Sequence, residues 1–118
     1  MSVVLLVDDE PQMQGLVAMC LEGSGATVVQ AANLEEALTA ARLERPSVIL
    51  LDIGLGQEDG LHILPSLRAD PALAGVPVLM FSVHDSMRQD ALDQGAAGFV
   101  TKPFRLEVLR EAVKEHLP

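Results

Sequence analysis

Four sites far apart in the chain carry groups able to hold a hard cation or act on phosphorus. They are Asp8-Asp9-Glu10, Asp52, Ser82 and Lys102. Each directly follows a short apolar run: Val3-Val4-Leu5-Leu6-Val7, Val48-Ile49-Leu50-Leu51, Val78-Leu79-Met80-Phe81, and a run over residues 97–100 that Thr101 closes. Carboxylates brought together repel one another and stay ionised only beside offsetting positive charge. A divalent cation and a lysine would supply it. Mg²⁺ suits the donors, being held by one or two carboxylates, carbonyls and water, and Mn²⁺ is the natural substitute. Zinc is not favoured, since no Cys/His pair has ligand spacing. A carboxylate flanked by such an ion and an ammonium is a competent nucleophile toward phosphorus. The product is an aspartyl phosphate, to which the Ser82 hydroxyl can donate a hydrogen bond.

For these groups to meet, the runs must be parallel neighbours. Short apolar runs rich in branched residues and bounded by turn signals predict strands buried on both faces. The first covers residues 2–7 and a second short one residues 26–31; the others are those named above. Between them lie helical patterns. The first starts after Pro11 and runs to about residue 22, with Leu16, Val17, Cys20 and Leu21 on one side. The second has Asn33 as N-cap and Glu36 as capping-box partner. A third, over residues 61–69, turns Leu61, Leu64 and Leu67 inward. A fourth, over 86–94, is closed by Gly95, and a fifth, over 105–116, shows Leu106, Leu109, Val113 and Leu117 on one face. Strict alternation of five strands and five helices implies a doubly wound parallel α/β sheet with helices on both faces. The carboxyl ends of its strands share one edge, where ligands bind in such sheets. The helix after the fifth strand uses up the chain, so the reading is a single domain, 1–118, with no output domain visible.

Composition narrows the function. Of 118 residues 49% are hydrophobic, enough for a real core, and the formal net charge is −9. No basic stripe exists to neutralise a phosphate backbone, which argues against direct nucleic-acid binding. The same charge opposes an anionic membrane surface. No apolar run approaches the roughly 18 residues of a membrane span. Asp8-Asp9 interrupts the N-terminal run too early for a signal peptide. The expectation is a cytoplasmic protein. Cys20, the one cysteine, falls in an apolar helical pattern and reads as core.

These residues carry a resemblance. The sequence resembles the receiver domain of two-component response regulators, through Val-Asp-Asp-Glu-Pro at 7–11, Leu-Leu-Asp at 50–52, Asp-Gly at 59–60, Ser82, and Gly-Ala-Ala-Gly-Phe-Val-Thr-Lys-Pro-Phe at 95–104. The motifs occur in order and span essentially the whole chain. The resemblance implies a flavodoxin-like (βα)5 fold with strand order 2-1-3-4-5. It implies a phosphorylation-dependent signalling switch in which Asp52 accepts a phosphoryl group from a sensor histidine kinase, a phosphotransfer protein or a small donor such as acetyl phosphate. Asp9 would bind Mg²⁺ directly, Asp8 directly or through water, alongside Asp52, and Gly54 would give its backbone carbonyl. Lys102 would pair with phosphoryl oxygens, ahead of a cis Lys102–Pro103 bond. Ser82 would move toward the phosphate and Phe99 would rotate inward behind it. The changed surface would be that of the fourth helix, fifth strand and fifth helix, read by an effector protein or output domain, and a homodimer through helices four and five is open. Such a protein takes part in its own phosphoryl transfer and autodephosphorylation but is not a turnover enzyme.

The loop after Asp52 departs from the family habit, with Leu55 and Gly56 where Met and Pro are usual. Gly at that position should loosen the loop. Val83 stands where a small residue is usual, and with Gly54 and His84 is expected to set the lifetime of the phosphate. Taken alone, the acidic triplet would be an ordinary helix start, where acids are favoured anyway. Asp52 and Lys102 at the same sheet edge reverse that reading. The glycines after Asp52 do not match a dinucleotide fingerprint. An aspartyl phosphatase would want an Asp-x-Asp pair, and none ends a strand here. The remaining alternative is a receiver-like interaction module that works without phosphorylation.

Overall fold

The computed structural model describes residues 2–54 and 60–118. The expectations for Leu55, Gly56, Asp59 and the Leu61 side chain lie outside the described residues. The elements run β1 (Ser2–Val7), α1 (Gln12–Cys20), β2 (Ala26–Ala31), α2 (Leu34–Glu44), β3 (Val48–Asp52), α3 (Gly60–Ala69), β4 (Val78–Ser82), a 3-10 turn (Asp85–Met87) leading into α4 (Arg88–Asp93), β5 (Gly98–Thr101) and α5 (Leu106–Lys114). The five strands are parallel, in the order β2-β1-β3-β4-β5.

Alternation along each strand builds two cores, because successive side chains point to opposite faces. Leu5, Val7, Ile49, Leu51, Val78, Met80 and Phe99 face α2, α3 and α4. Val4, Leu6, Val48, Leu50, Leu79, Phe81 and Val100 face α1 and α5, where Met13, Val17, Cys20, Leu109 and Val113 meet them. Cys20 is buried, and burial pushes its thiol pKa up, as befits a packing residue.

Register brings the strand ends level. Val7 pairs with Ala31 and Leu51, Asp52 with Phe81, and Ser82 with Thr101. The ladder then continues one step past each strand. Asp8 N–H donates to Ala31 O at 2.9 Å, Ile53 N–H to Phe81 O at 3.0 Å, and Lys102 N–H to Ser82 O at 2.7 Å. The loops that carry the chemistry are therefore held by sheet hydrogen bonds at their roots.

Asn33 caps α2 as its sequence predicts. Its side-chain oxygen accepts from Glu36 N–H at 2.9 Å, and Glu36 reaches back to the N–H of Ala32 at 3.0 Å. Asn33→Ala is expected to cost about 1 kcal/mol of unfolding free energy, read from urea denaturation.

Some helical expectations shift. α1 stops at Cys20, and turns follow in which Gly23 and Gly25 both take φ of 83°. Its buried stripe is Met13, Val17, Cys20 and Leu21, spaced i, i+4, i+7, i+8, which leaves Leu16 at the stripe's exposed edge. On α5 the stripe is Leu109 and Val113 with Leu117 beyond, while Leu106, at the first position of the helix, is exposed. The predicted fourth helix divides into the 3-10 turn and a six-residue helix. β5 begins and ends one residue later than expected.

Candidate functional site

Asp8 leaves β1 fully buried. Its Oδ1 accepts from Glu10 N–H at 2.9 Å, an Asx-type turn that folds the acidic run back on itself. Its Oδ2 is a buried oxygen with no hydrogen-bond partner among the described residues; Lys102 Nζ lies 3.5 Å away as an ion pair. Burial raises the Asp8 pKa above the ordinary carboxylate value; the Glu10 N–H works against this, the Asp52 charge adds to it, and Lys102 offsets part.

Asp52 ends β3 and is also buried. Gly54 N–H donates to Oδ1 at 3.1 Å, and Lys102 Nζ donates to Oδ2 at 3.3 Å. Lys102 stands over the Phe81 ring, its Nζ 4.5 Å from the centroid, and is followed by a cis Lys102–Pro103 bond. The ring beneath it and two carboxylates beside it confine the ammonium.

Carboxylate oxygens of Asp8, Glu10 and Asp52 all lie within 4.8 Å of one another. Asp9, expected among the metal ligands, is exposed and outside this trio. Glu10 takes the place in the trio, held there by its own N–H to Asp8 Oδ1 and by Gln12 Nε2, which donates to Glu10 Oε2 at 2.9 Å. The acidic triplet marked Glu10 as a candidate; its side-chain direction could not be read from spacing. Three carboxylates, an orphaned buried oxygen and one nearby ammonium are an under-neutralised set, and hard oxygen donors at this separation fit Mg²⁺.

Ser82 is buried at the end of β4. Its Oγ accepts from His84 N–H at 3.0 Å, so its own proton is not spent on that bond. Asp52, Gly54, Ser82, Val83, His84 and Lys102 line a cleft of about 220 Å³, the size of a small anion with its water. A larger hollow of about 490 Å³ lies between β2 and α2, lined by surface carboxylates, Asn33, Thr39 and aliphatic groups.

Phe99 sits inward in the core beside α4. Sequence reasoning missed what holds it. The Arg88 guanidinium lies 5.0 Å from the ring centroid and donates to Phe99 O at 3.3 Å. Arg88 also donates to Asp85 Oδ1 at 3.1 Å, and the Thr101 hydroxyl donates to the same oxygen at 2.8 Å. These bonds hold the Asp85 carboxyl below its ordinary pKa. The ring is therefore inward in this structure. Phe carries no hydroxyl that would favour an outward position.

A doubly wound sheet with this acidic edge and a lysine opposite defines a class, and comparison with known proteins bears it out. Residues 4–114 match the response regulator receiver domain, and the chain belongs to that family. A phosphorylation-dependent switch is the family's standard role. The chain is 39% identical to the probable transcriptional regulatory protein TcrX of Mycobacterium tuberculosis, over 88% of this chain and 44% of that one. It is 35% identical to the KDP operon transcriptional regulatory protein KdpE of Escherichia coli, over 98% and 53%. It therefore spans about half the length of these curated relatives. Among solved structures, the chemotaxis response regulator CheY4 of Vibrio cholerae superposes with a TM-score of 0.87 at 30% identity, covering 99% of each chain. The response regulator TrrA of Thermotoga maritima, in complex with Mg²⁺ and BeF, gives 0.85 at 28% identity, covering 99% and 100%. No helix among the described residues is long and apolar enough to cross a membrane.

Proposed function

We propose that this chain is the phosphoryl-accepting switch of a two-component system and that Asp52 is the acceptor. The observation that carries the reading is the convergence of Asp8, Glu10 and Asp52 within 4.8 Å, with Lys102 Nζ 3.3 Å from Asp52 and 3.5 Å from Asp8. An Asp52 carboxylate oxygen attacks phosphorus, forming the new O–P bond. The bond from phosphorus to the donor breaks, and the donor group leaves with its electron pair. A bound Mg²⁺ supplies charge neutralisation to the phosphoryl oxygens.

The chain's own groups do the rest. Asp8, Asp9, Glu10 and Asp52, with the Gly54 carbonyl, are the candidate metal ligands. Lys102, already within reach of Asp52 Oδ2, pairs with a phosphoryl oxygen once Asp52 is esterified. Ser82 donates its hydroxyl proton to another. Drawing Ser82 toward the phosphate pulls on β4 and on the adjoining Asp85–Arg88–Thr101 group, so α4, β5 and α5 form the face that changes. Exposed Val83 and His84 line the cleft mouth with Gly54 and govern water access to the phosphate.

The upstream partner is a sensor histidine kinase or phosphotransfer protein; the downstream one is an effector or an output domain. The relatives' names as transcriptional regulators, and the half of their length beyond the match, support an output domain. Exposed Leu92, Leu106 and Val108 on α4 and α5 support self-association through that face. The working compartment in this reading is the cytoplasm, and residues 1–118 act as one receiver domain.

The test is incubation with Mg²⁺ and acetyl phosphate followed by intact mass measurement. One phosphoryl group should add to the chain, stable in acid and labile in base, and chelating the Mg²⁺ should prevent it. A chain that stays unmodified while binding Mg²⁺ would be an interaction module instead.

A further inference from the structure

Gln30 lies half-buried in the edge strand β2, in register with Leu6. Its side chain runs past the end of β1 to the acidic loop. Nε2 donates to the carbonyl oxygen of Asp8 at 2.7 Å and to that of Glu10 at 2.8 Å. An amide nitrogen carries two hydrogens, and this geometry uses both. The two carbonyls belong to the two loop residues whose carboxylates converge with Asp52.

The clip closes a set of bonds around the loop. Asp8 N–H is held by Ala31 O, and Glu10 N–H by Asp8 Oδ1. Gln30 on both carbonyls holds the Asp8–Asp9 and Glu10–Pro11 peptide groups, and the Glu10 N–H bond holds the one between them, so the backbone from which the Asp8 and Glu10 side chains leave is restrained. The exposed Asp9 between them makes no part of this cage. Carboxylates crowded near one another would otherwise relax apart, since Lys102 alone among the described residues pairs with them. Holding ligands in place before the ion arrives removes an ordering cost from binding.

We propose that Gln30 is a positioning residue for the Mg²⁺ site, setting ion affinity by locking the Asp8–Glu10 loop from the neighbouring strand. This rests on the reading of the acidic trio as the metal site. Glutamine is required by the geometry. A glutamate of the same length could not donate to either carbonyl, and asparagine, one methylene shorter, would not span to both.

The test uses Gln30→Met, which keeps length and removes both donors, and Gln30→Asn. Mg²⁺ affinity is read from the backbone amide signal of Glu10 in a titration. Both variants should bind about tenfold more weakly, in the range seen when groups that orient metal ligands are lost. Phosphorylation by acetyl phosphate should return to the wild-type rate at saturating Mg²⁺, because the defect lies in binding the ion and not in the chemistry. Wild-type affinity in Gln30→Met, with only the thermal midpoint lowered, would make Gln30 a fold tie and overturn the proposal. A second measurement needs no variant. The side-chain amide signals of Gln30 should shift in the wild-type titration with the same midpoint as Glu10. Signals that stay fixed while Glu10 responds would overturn the proposal and leave the metal site standing. A Glu10 amide that never responds would instead remove the metal site itself.

Discussion

Asp52→Asn is expected to abolish phosphoryl incorporation from acetyl phosphate while leaving the fold at least as stable. The amide has neither the charge nor the lone-pair reactivity to form an acyl phosphate, so the mass of the variant should not change at any donor concentration. The substitution keeps the shape of a buried side chain that fills the end of β3. Its oxygen can still accept from Gly54 N–H, which donates to Oδ1 at 3.1 Å in the native protein. One of the negative charges around the Asp8 carboxylate is removed, and that charge raises the Asp8 pKa. Lys102 is then left to pair with Asp8 alone, 3.5 Å away. Thermal unfolding without metal should therefore show no loss of stability. Incorporation surviving in Asp52→Asn would place the acceptor elsewhere.

Asp8→Asn should move stability and metal affinity in opposite directions. The native carboxylate is fully buried, and its Oδ2 has no hydrogen-bond partner among the described residues, only the Lys102 ammonium 3.5 Å away. A buried polar oxygen left unpaired costs roughly 1–3 kcal/mol, more when charged. In the variant, the amide oxygen takes the Glu10 N–H bond and the NH₂ group sits where Oδ2 was. It gives up the ion pair with Lys102 Nζ, 3.5 Å from the native Oδ2, and removes a negative charge from beside Asp52 and Glu10. Metal-free stability at neutral pH should rise by about 1–3 kcal/mol. Mg²⁺ affinity should fall by roughly 10- to 100-fold, by analogy with loss of groups that support a metal site. Added Mg²⁺ should then narrow the stability gap, since the ion stabilises whichever fold binds it more tightly. Denaturant unfolding at zero and saturating Mg²⁺ measures both effects. A variant less stable than the native protein without metal would mean that the Lys102 pairing outweighs the burial of Asp8.

Both expectations rest on the cost of gathering like charges at one buried edge. Like charges are gathered at one sheet edge for the sake of an ion and a phosphate, and Lys102 alone among the described residues forms ion pairs there. Burial and the neighbouring carboxylates both push the Asp8 pKa up, with Lys102 offsetting part. The Arg88 bonds to Phe99, Asp85 and Thr101 place a second polar group beside the switch, bridging α4 and β5.

Strand positions, the alternation with helices and the gathering of Asp8, Asp52, Ser82 and Lys102 at one edge are all legible in the amino-acid order. Buried parallel strands need continuous apolar runs, and a parallel sheet puts their carboxyl ends together whatever the sequence separation. Asn33 with Glu36 predicts its own cap because the bonds are local. Helix faces were less legible. Leu16 and Leu106 are apolar and near the right spacing, but each sits at a stripe's margin, where packing by neighbouring elements decides exposure. The side-chain directions in the acidic loop could be decided only by the tertiary structure. Glu10 rather than Asp9 joins Asp8 and Asp52, in a loop whose backbone carbonyls Gln30 clips across 22 residues of sequence separation. The buried Asp8 oxygen that meets Lys102 as an ion pair without a hydrogen bond likewise exists only once β1, β3 and β5 have closed around it. Composition and periodicity determine which residues reach the edge, because both follow from burial. Where the oxygens then point is set by the short-range bonds of the folded turns, from Glu10 N–H, Gln12 and Gly54 N–H. It is set also by Lys102, which the end of β5 delivers to Asp52 from 50 residues away, a partner the linear order does not name.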